Sequence, residues 1–245
     1  MILEVCTEGV EMSVAADQAG ATRIELCAAI AQGGITPSAG VIEHVCKSVI
    51  CPVHVMIRPR AGDFLYSSYD FDAMVDDVRA AKALGAEGVV LGLLDADGLI
   101  DTGRCEQLLD VAGDMKKVFH RAFDMAADPY GSFNLIQELG FDVLLTSGRR
   151  QTAKDGMEVI RQLVSRSNSS IQIMAGSGVN PNNAALLAST GIQALHFTCK
   201  KVTDGGMRYQ NRELQSMGSA DYDEFALEIF DFDKFNNIKN AVEAI

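Results

Sequence analysis

Eight short apolar runs recur along the chain, at 2–6, 23–27, 53–57, 88–94, 117–123, 143–148, 171–179 and 194–198, with a step of mostly 20 to 36 residues. The stretches between them carry apolar residues at helical spacing, at 10–20, 38–49, 70–84, 103–112, 131–139, 153–166 and 181–189, and a last one follows at 233–244. Four of these stretches end at Gly20, Gly85, Gly140 and Gly191, the residue type that closes a helix and turns the chain into the next strand. Strands alternating with helices predict a parallel sheet, because a parallel neighbour is reached only through a crossover. Eight such units in 245 residues fit one closed (β/α)8 barrel, a TIM barrel spanning 1–245 as a single domain. Two connections break the rhythm: 58–70 after the third run, and the polar, glycine-containing segment 199–232 before the last helix. Both follow strands, so both are expected at the carboxyl rim where barrels place their chemistry, the second as an extended rim or interface segment.

Alternation within the strands predicts which side chains face the barrel axis. Side chains beneath the helices must be apolar, since unpaired charge there is costly. Where one parity is wholly apolar, the other is therefore the lumen: Glu4 and Cys6; Arg23, Glu25 and Cys27; His54, Met56 and Arg58; Gln172 and Met174; His196 and Thr198. The fourth to sixth strands do not resolve this way. His120 and Arg121 are neighbours, so strand alternation allows only one of them the lumen side. A lumen this polar departs from the Val, Ile and Leu that fill a purely structural barrel. Its plainest reading is a buried network of Glu4, Glu25, Arg23 and Arg58 that fixes the fold.

Composition narrows the partners. The chain is 48% hydrophobic and 22% charged with a formal net charge of −12, which argues against sequence-independent nucleic-acid binding. Glu4, Glu8 and Glu11 near the start, with no basic residue among them, do not resemble a signal peptide, and no run approaches the roughly 20 apolar residues of a membrane helix. The expectation is a cytoplasmic protein without nucleic-acid or membrane partners. The six cysteines contain no CxxC pair and are expected as reduced thiols.

Three constellations could carry chemistry. Arg58, Arg60 and Arg121, with Ser147-Gly148 after the sixth strand and Gly176-Ser177-Gly178 after the seventh, suit a small anion, because barrels often bind phosphate through backbone N–H groups after strands seven and eight, at a helix N-terminus. The alternative for the glycine loop is a tight strand-to-helix turn. Glu25 and His120, with Asp124 and Glu4, are candidates for acid–base work on such a phosphorylated or carboxylated metabolite. Cys6 and Cys27 occupy the same place in the repeated tetrapeptides LEVC and IELC, and two thiolates near Met56 or His54 would favour Cu(I) or Zn over hard cations. Cysteine is also a common core filler, so spacing alone leaves this open.

LEVC, IELC with GGITPSAG (33–40), VMIRPRAGDFLY (55–66), FHRAFD (119–124) and LLTSG (144–148) together resemble the CutC family of copper-homeostasis proteins, over residues 2 to about 218. The resemblance implies a cytoplasmic TIM barrel, usually a homodimer or higher oligomer such as a tetramer, associated with copper tolerance and proposed to bind copper. The cysteines invoked for copper in that family match Cys6 and Cys27. One departure is visible: the seventh-strand stretch, typically proline and three glycines, reads Ala175-Gly176-Ser177-Gly178. The family's motifs are richer in Arg, His, Glu and Asp than in copper ligands, which keeps an enzyme acting on a small anion as the alternative. A scaffold working through its oligomer surface is the third reading.

Overall fold

In a computed structural model that describes residues 1–168, 170–211, 213, 216–217 and 223–244, eight parallel strands close into a barrel in sequence order. They are β1 (Ile2–Glu8), β2 (Arg23–Cys27), β3 (Val53–Met56), β4 (Gly88–Leu91), β5 (Lys116–Phe119), β6 (Val143–Thr146), β7 (Gln172–Gly176) and β8 (Ala194–Phe197), with β8 pairing back onto β1. The helices are α1 (Val10–Ala19), α2 (Ala39–Ser48), α3 (Ser68–Ala83), α4 (Thr102–Ala112), α5 (Ala122–Met125), α6 (Pro129–Glu138), α7 (Met157–Arg166), α8 (Ala184–Ala188) and α9 (Phe232–Glu243). Local chemistry starts and stops them. Ser38, Ser67, Asp101, Asp128 and Asp231 accept backbone N–H groups at helix N-termini, Ser67 in a reciprocal box with Asp70. The four glycines predicted to end helices all adopt left-handed φ.

Strand alternation sorts the core into two shells. Leu3, Val5, Ile24, Leu26, Val55 and Ile173 lie beneath the helices, while Cys6, Cys27, Met56, Val90, Val118, Val143, Leu145, Met174 and Ala194 fill the lumen. The unresolved strands are apolar on both faces, with Val90, Val118 and Leu145 inside and Leu91, Phe119 and Leu144 outside. That is why no parity stood out there. The buried charged lumen residues, Glu4, Arg23, Glu25 and His54, thereby fall on β1 to β3, with His196 beside them on β8.

Three local expectations give way. The run 117–123 is not strand throughout: β5 stops at Phe119, and Arg121 is the N-cap of the short helix α5. Strand alternation therefore ceases to apply at the point where it was used to separate His120 from Arg121. The helix expected at 181 begins at Ala184, and the one expected at 153 begins at Met157. Finally, 199–232 is not wholly irregular. β9 (Lys200–Asp204) and β10 (Ala226–Phe230) pair antiparallel as a separate ribbon, joined through residues that include 212, 214–215 and 218–222, outside the described ones.

Candidate functional site

The carboxyl ends of the strands open into a cavity of about 480 Å³. Its base is built from β1 and β2. Cys6 lies across from Glu25 in the ladder, and Cys27 lies across from Glu8, two residues further on. The two cysteines are thus not at the same level as their matching tetrapeptides suggested, because barrel closure staggers neighbouring strands. The stagger still brings them together: the sulfurs are 3.3 Å apart, and both residues are buried. The chain at Gly34 passes over them, close enough that a Cβ there would lie 3.4 Å from Cys27 Sγ and 3.6 Å from the Met56 methyl.

Below the thiols runs a buried charge relay. Glu4 is fully buried, pairs with Arg23, and accepts from His196 Nδ1 at 2.7 Å. The other ring nitrogen of His196 is 3.9 Å from Glu25 Oε1. Burial opposes ionisation of Glu4, yet Arg23, His196 and His54 hold its pKa down to about 2. Glu25 goes the other way: burial and the nearby Glu4 charge raise it, against the pull of His196. Burial likewise disfavours charge on His196, but the two glutamates outweigh it and favour the imidazolium. The hydrogen bond with Cys27 and burial push the Cys6 thiol well above its ordinary range. Cys6, Glu25 and His196 each offer a ligand atom, all within 4.8 Å of one another, a grouping able to hold a metal ion.

Above the thiols, the wall includes Arg58, His120, Arg121, Ser177, Gly178 and Lys234. Arg58 is not part of the lumen network expected of it. β3 ends at Met56, so Arg58 sits over the rim, where it donates to the carbonyls of Gln32, Gly34 and Gly62 and stacks on Phe64. His196 and His54 take its place beside Glu4. His120 and Arg121 both line the cavity. Ser177 holds φ +79°, a conformation natural to glycine, and its hydroxyl donates to Gln151 O, tying the loop after β7 to the loop after β6.

Several candidates stand outside this wall. Arg60 turns back on its own loop, bonding Asp63, Asp70 and the Leu65 carbonyl and stacking on Tyr66. Ser147 and Gly148 lie behind the surface. Asp124 collects donors there: Arg121 Nε at 2.9 Å, Thr146 Oγ1 at 2.5 Å, Ser147 N at 3.0 Å and Arg149 N at 3.0 Å. It serves as an anchor for the loop after β6. Gly176 is in the barrel wall, where a Cβ would strike Leu145 at 2.6 Å. The loop after β7 does not present a helix N-terminus, since α8 starts six residues after Gly178.

Two members of the site escaped the sequence reading. His196 was placed in the lumen but given no role, although it bridges both glutamates. Lys234 was missed altogether. The available signal was its place in the first turn of the helix after the eighth strand, because each helix in such a barrel starts at the carboxyl rim.

The sequence model of the CutC family matches residues 1–201, more than half of the chain. The chain belongs to the CutC family. A CutC family protein of Enterobacter sp. (strain 638) is 44% identical over 225 residues, covering 92% of this chain and 91% of its own. The human copper homeostasis protein cutC homolog is 39% identical over 242 residues, covering 98% and 88%. A crystal structure of CutC from Streptococcus agalactiae superimposes with a TM-score of 0.76 at 34% identity, covering 81% of this chain and 98% of that one. The family and its barrel are therefore as the LEVC, IELC and FHRAFD motifs indicated.

Proposed function

We propose that this protein serves copper homeostasis by holding a copper(I) ion at Cys6 and Cys27. The observation that carries the reading is the 3.3 Å approach of two buried sulfurs at the base of the mouth cavity. The donor set fits a soft cation: two thiols, the Met56 thioether on the neighbouring strand, and Glu25 and His196 within reach of Cys6. The name of the human relative, a copper homeostasis protein, supports the same assignment. Cys6, protonated when metal-free, would release its proton as copper binds. Anaerobic copper(I) titration against a competing chelator tests this. The wild type is expected to take up one equivalent that Cys6→Ser/Cys27→Ser lacks. Equal stoichiometry in the two proteins would reject the site.

The same reading places the protein in the cytoplasm, where thiols stay reduced, and makes it a homo-oligomer. All six cysteines are free, and none of the helices among the described residues is long and apolar enough to cross a membrane. Support for assembly comes from the ribbon of β9 and β10 and its flanks. Val202, Met207, Tyr209, Met217, Leu227 and Phe232 are all large apolar side chains exposed to solvent there.

A further inference from the structure

The mouth cavity holds chemistry that the two thiols do not use. Three residues of its wall are buried and carry a polar atom with no hydrogen-bond partner: Glu25 Oε2, Arg58 Nε and His120 Nε2. Buried polar groups in folded proteins are nearly always paired, so three orphans around one cavity point to a ligand.

His120 is the most informative of them. The Ala122 backbone N–H donates to its Nδ1 at 3.2 Å. A nitrogen that accepts carries the lone pair, so the proton of the neutral ring sits on Nε2, the atom without a partner. Burial and the Arg58 charge drive the ring pKa down to about 3, so it stays neutral at physiological pH. Its orientation is held on two sides. Phe64 packs against it with centroids 5.0 Å apart, and Gly92 leaves room where a Cβ would lie 2.6 Å from Nδ1. The result is a neutral hydrogen-bond donor held in place before any ligand arrives.

The charge at the rim complements it. Arg121, anchored by Asp124 and Ser147, lines the same cavity with 43% of its side chain exposed. Lys234 reaches the cavity from α9, with no carboxylate or hydrogen-bond partner for its ammonium among the described residues. Lys234, and the exposed end of an Arg121 already paired with Asp124, are the cations this rim offers to an anion on a chain of net charge −12.

We propose that the barrel mouth, above the cysteine pair, binds a small organic anion that also carries an uncharged carbonyl oxygen. Lys234 and Arg121 receive the carboxylate or phosphate, and His120 Nε2–H donates to the carbonyl. The anion's proposed contacts, Lys234, Arg121 and His120, are not among the copper ligands, although both groups line one cavity, so the two readings fail separately. Isothermal titration tests it with pyruvate and dihydroxyacetone phosphate as the two probes, and with acetate and inorganic phosphate as the matching anions lacking the carbonyl. One probe is expected to saturate at one per chain and to bind at least about tenfold tighter than its matching anion, the scale of one hydrogen bond to a fixed donor. Which probe does so decides between the carboxylate and the phosphate. Lys234→Gln, at a half-exposed helix start, is expected to weaken probe and matching anion alike by about tenfold. His120→Asn is expected to abolish the preference for the carbonyl compound. Saturable binding by neither probe, or binding indifferent to Lys234→Gln, would overturn the proposal whatever copper does.

Discussion

At the scale of single residues, the lumen separates chemically similar groups by environment. Glu4 and Glu25 are neighbours in the same barrel, yet Arg23 and His196 keep one ionised while burial raises the other. His120 and His196 diverge in the same way: burial beside Arg58 keeps the first neutral, while two carboxylates raise the pKa of the second against its burial. His120 makes a pH prediction with a definite sign. Its folded pKa of about 3 lies below the unfolded value near 6.5, so the unfolded chain binds the extra proton first. Its contribution is fully present above pH 6.5 and is lost as pH falls toward 3. Relative to His120→Gln, the wild type is expected to lose about 2 kcal/mol of unfolding free energy between pH 6.5 and pH 5, from 1.36 kcal/mol per pKa unit. Urea titrations of both proteins at the two pH values measure the difference of slopes. Parallel curves would show that His120 titrates normally.

At the scale of elements, the rim is set by how strands end. The loop after β6 is organised by a carboxylate from α5, with Asp124 accepting from Thr146, Ser147, Arg149 and Arg121. The chain is so close-packed there that a Cβ on Gly156 would meet Ser147 O at 2.0 Å. Asp124→Ala strands the buried Thr146 and Ser147 donors without an acceptor. A loss of about 3 kcal/mol or more in unfolding free energy is expected, with faster proteolysis of the 147–156 segment. A loss under about 1 kcal/mol would mean that Asp124 is not the anchor. This role was illegible in FHRAFD, where Asp124 reads equally well as an acid or base. Only the position of these donors distinguishes an anchoring carboxylate from a reactive one.

At the scale of the whole molecule, the barrel divides its labour by direction. The buried charges and the two thiols of the lumen lie on β8 through β2, with His54 and Met56 on β3, and the ribbon of β9 and β10 is a sheet of its own. A two-stranded ribbon is marginal by itself in water, and this one carries Val202 and Leu227 at 68% and 54% exposure. If assembly uses this surface, Val202→Lys/Leu227→Lys is expected to convert a dimer or tetramer to monomer with an unchanged far-ultraviolet spectrum. Light scattering behind size exclusion reads the mass directly. A wild type already monomeric at tens of micromolar, or a variant of unchanged mass, would remove the ribbon from the interface.

Periodicity in the chain was sufficient for the eight strands, their order and the inward residues of β1, β2, β3, β7 and β8. The physical reason is local: a strand buried on both faces must declare its helix-covered side by being apolar, and in those five strands the other side was polar enough to contrast. Nothing comparable exists for where a side chain goes once its strand has ended. Arg58 and Arg60 stand two residues apart in one motif, yet one lines the cavity while the other folds back on Asp63 and Asp70. His120 and Arg121 share the cavity because β5 ends at Phe119, before both of them. Cys6 and Cys27 meet through barrel stagger, and Lys234 arrives from the far end of the chain. These placements depend on closure of the sheet and on loop packing between elements distant in sequence, so tertiary structure alone decided them.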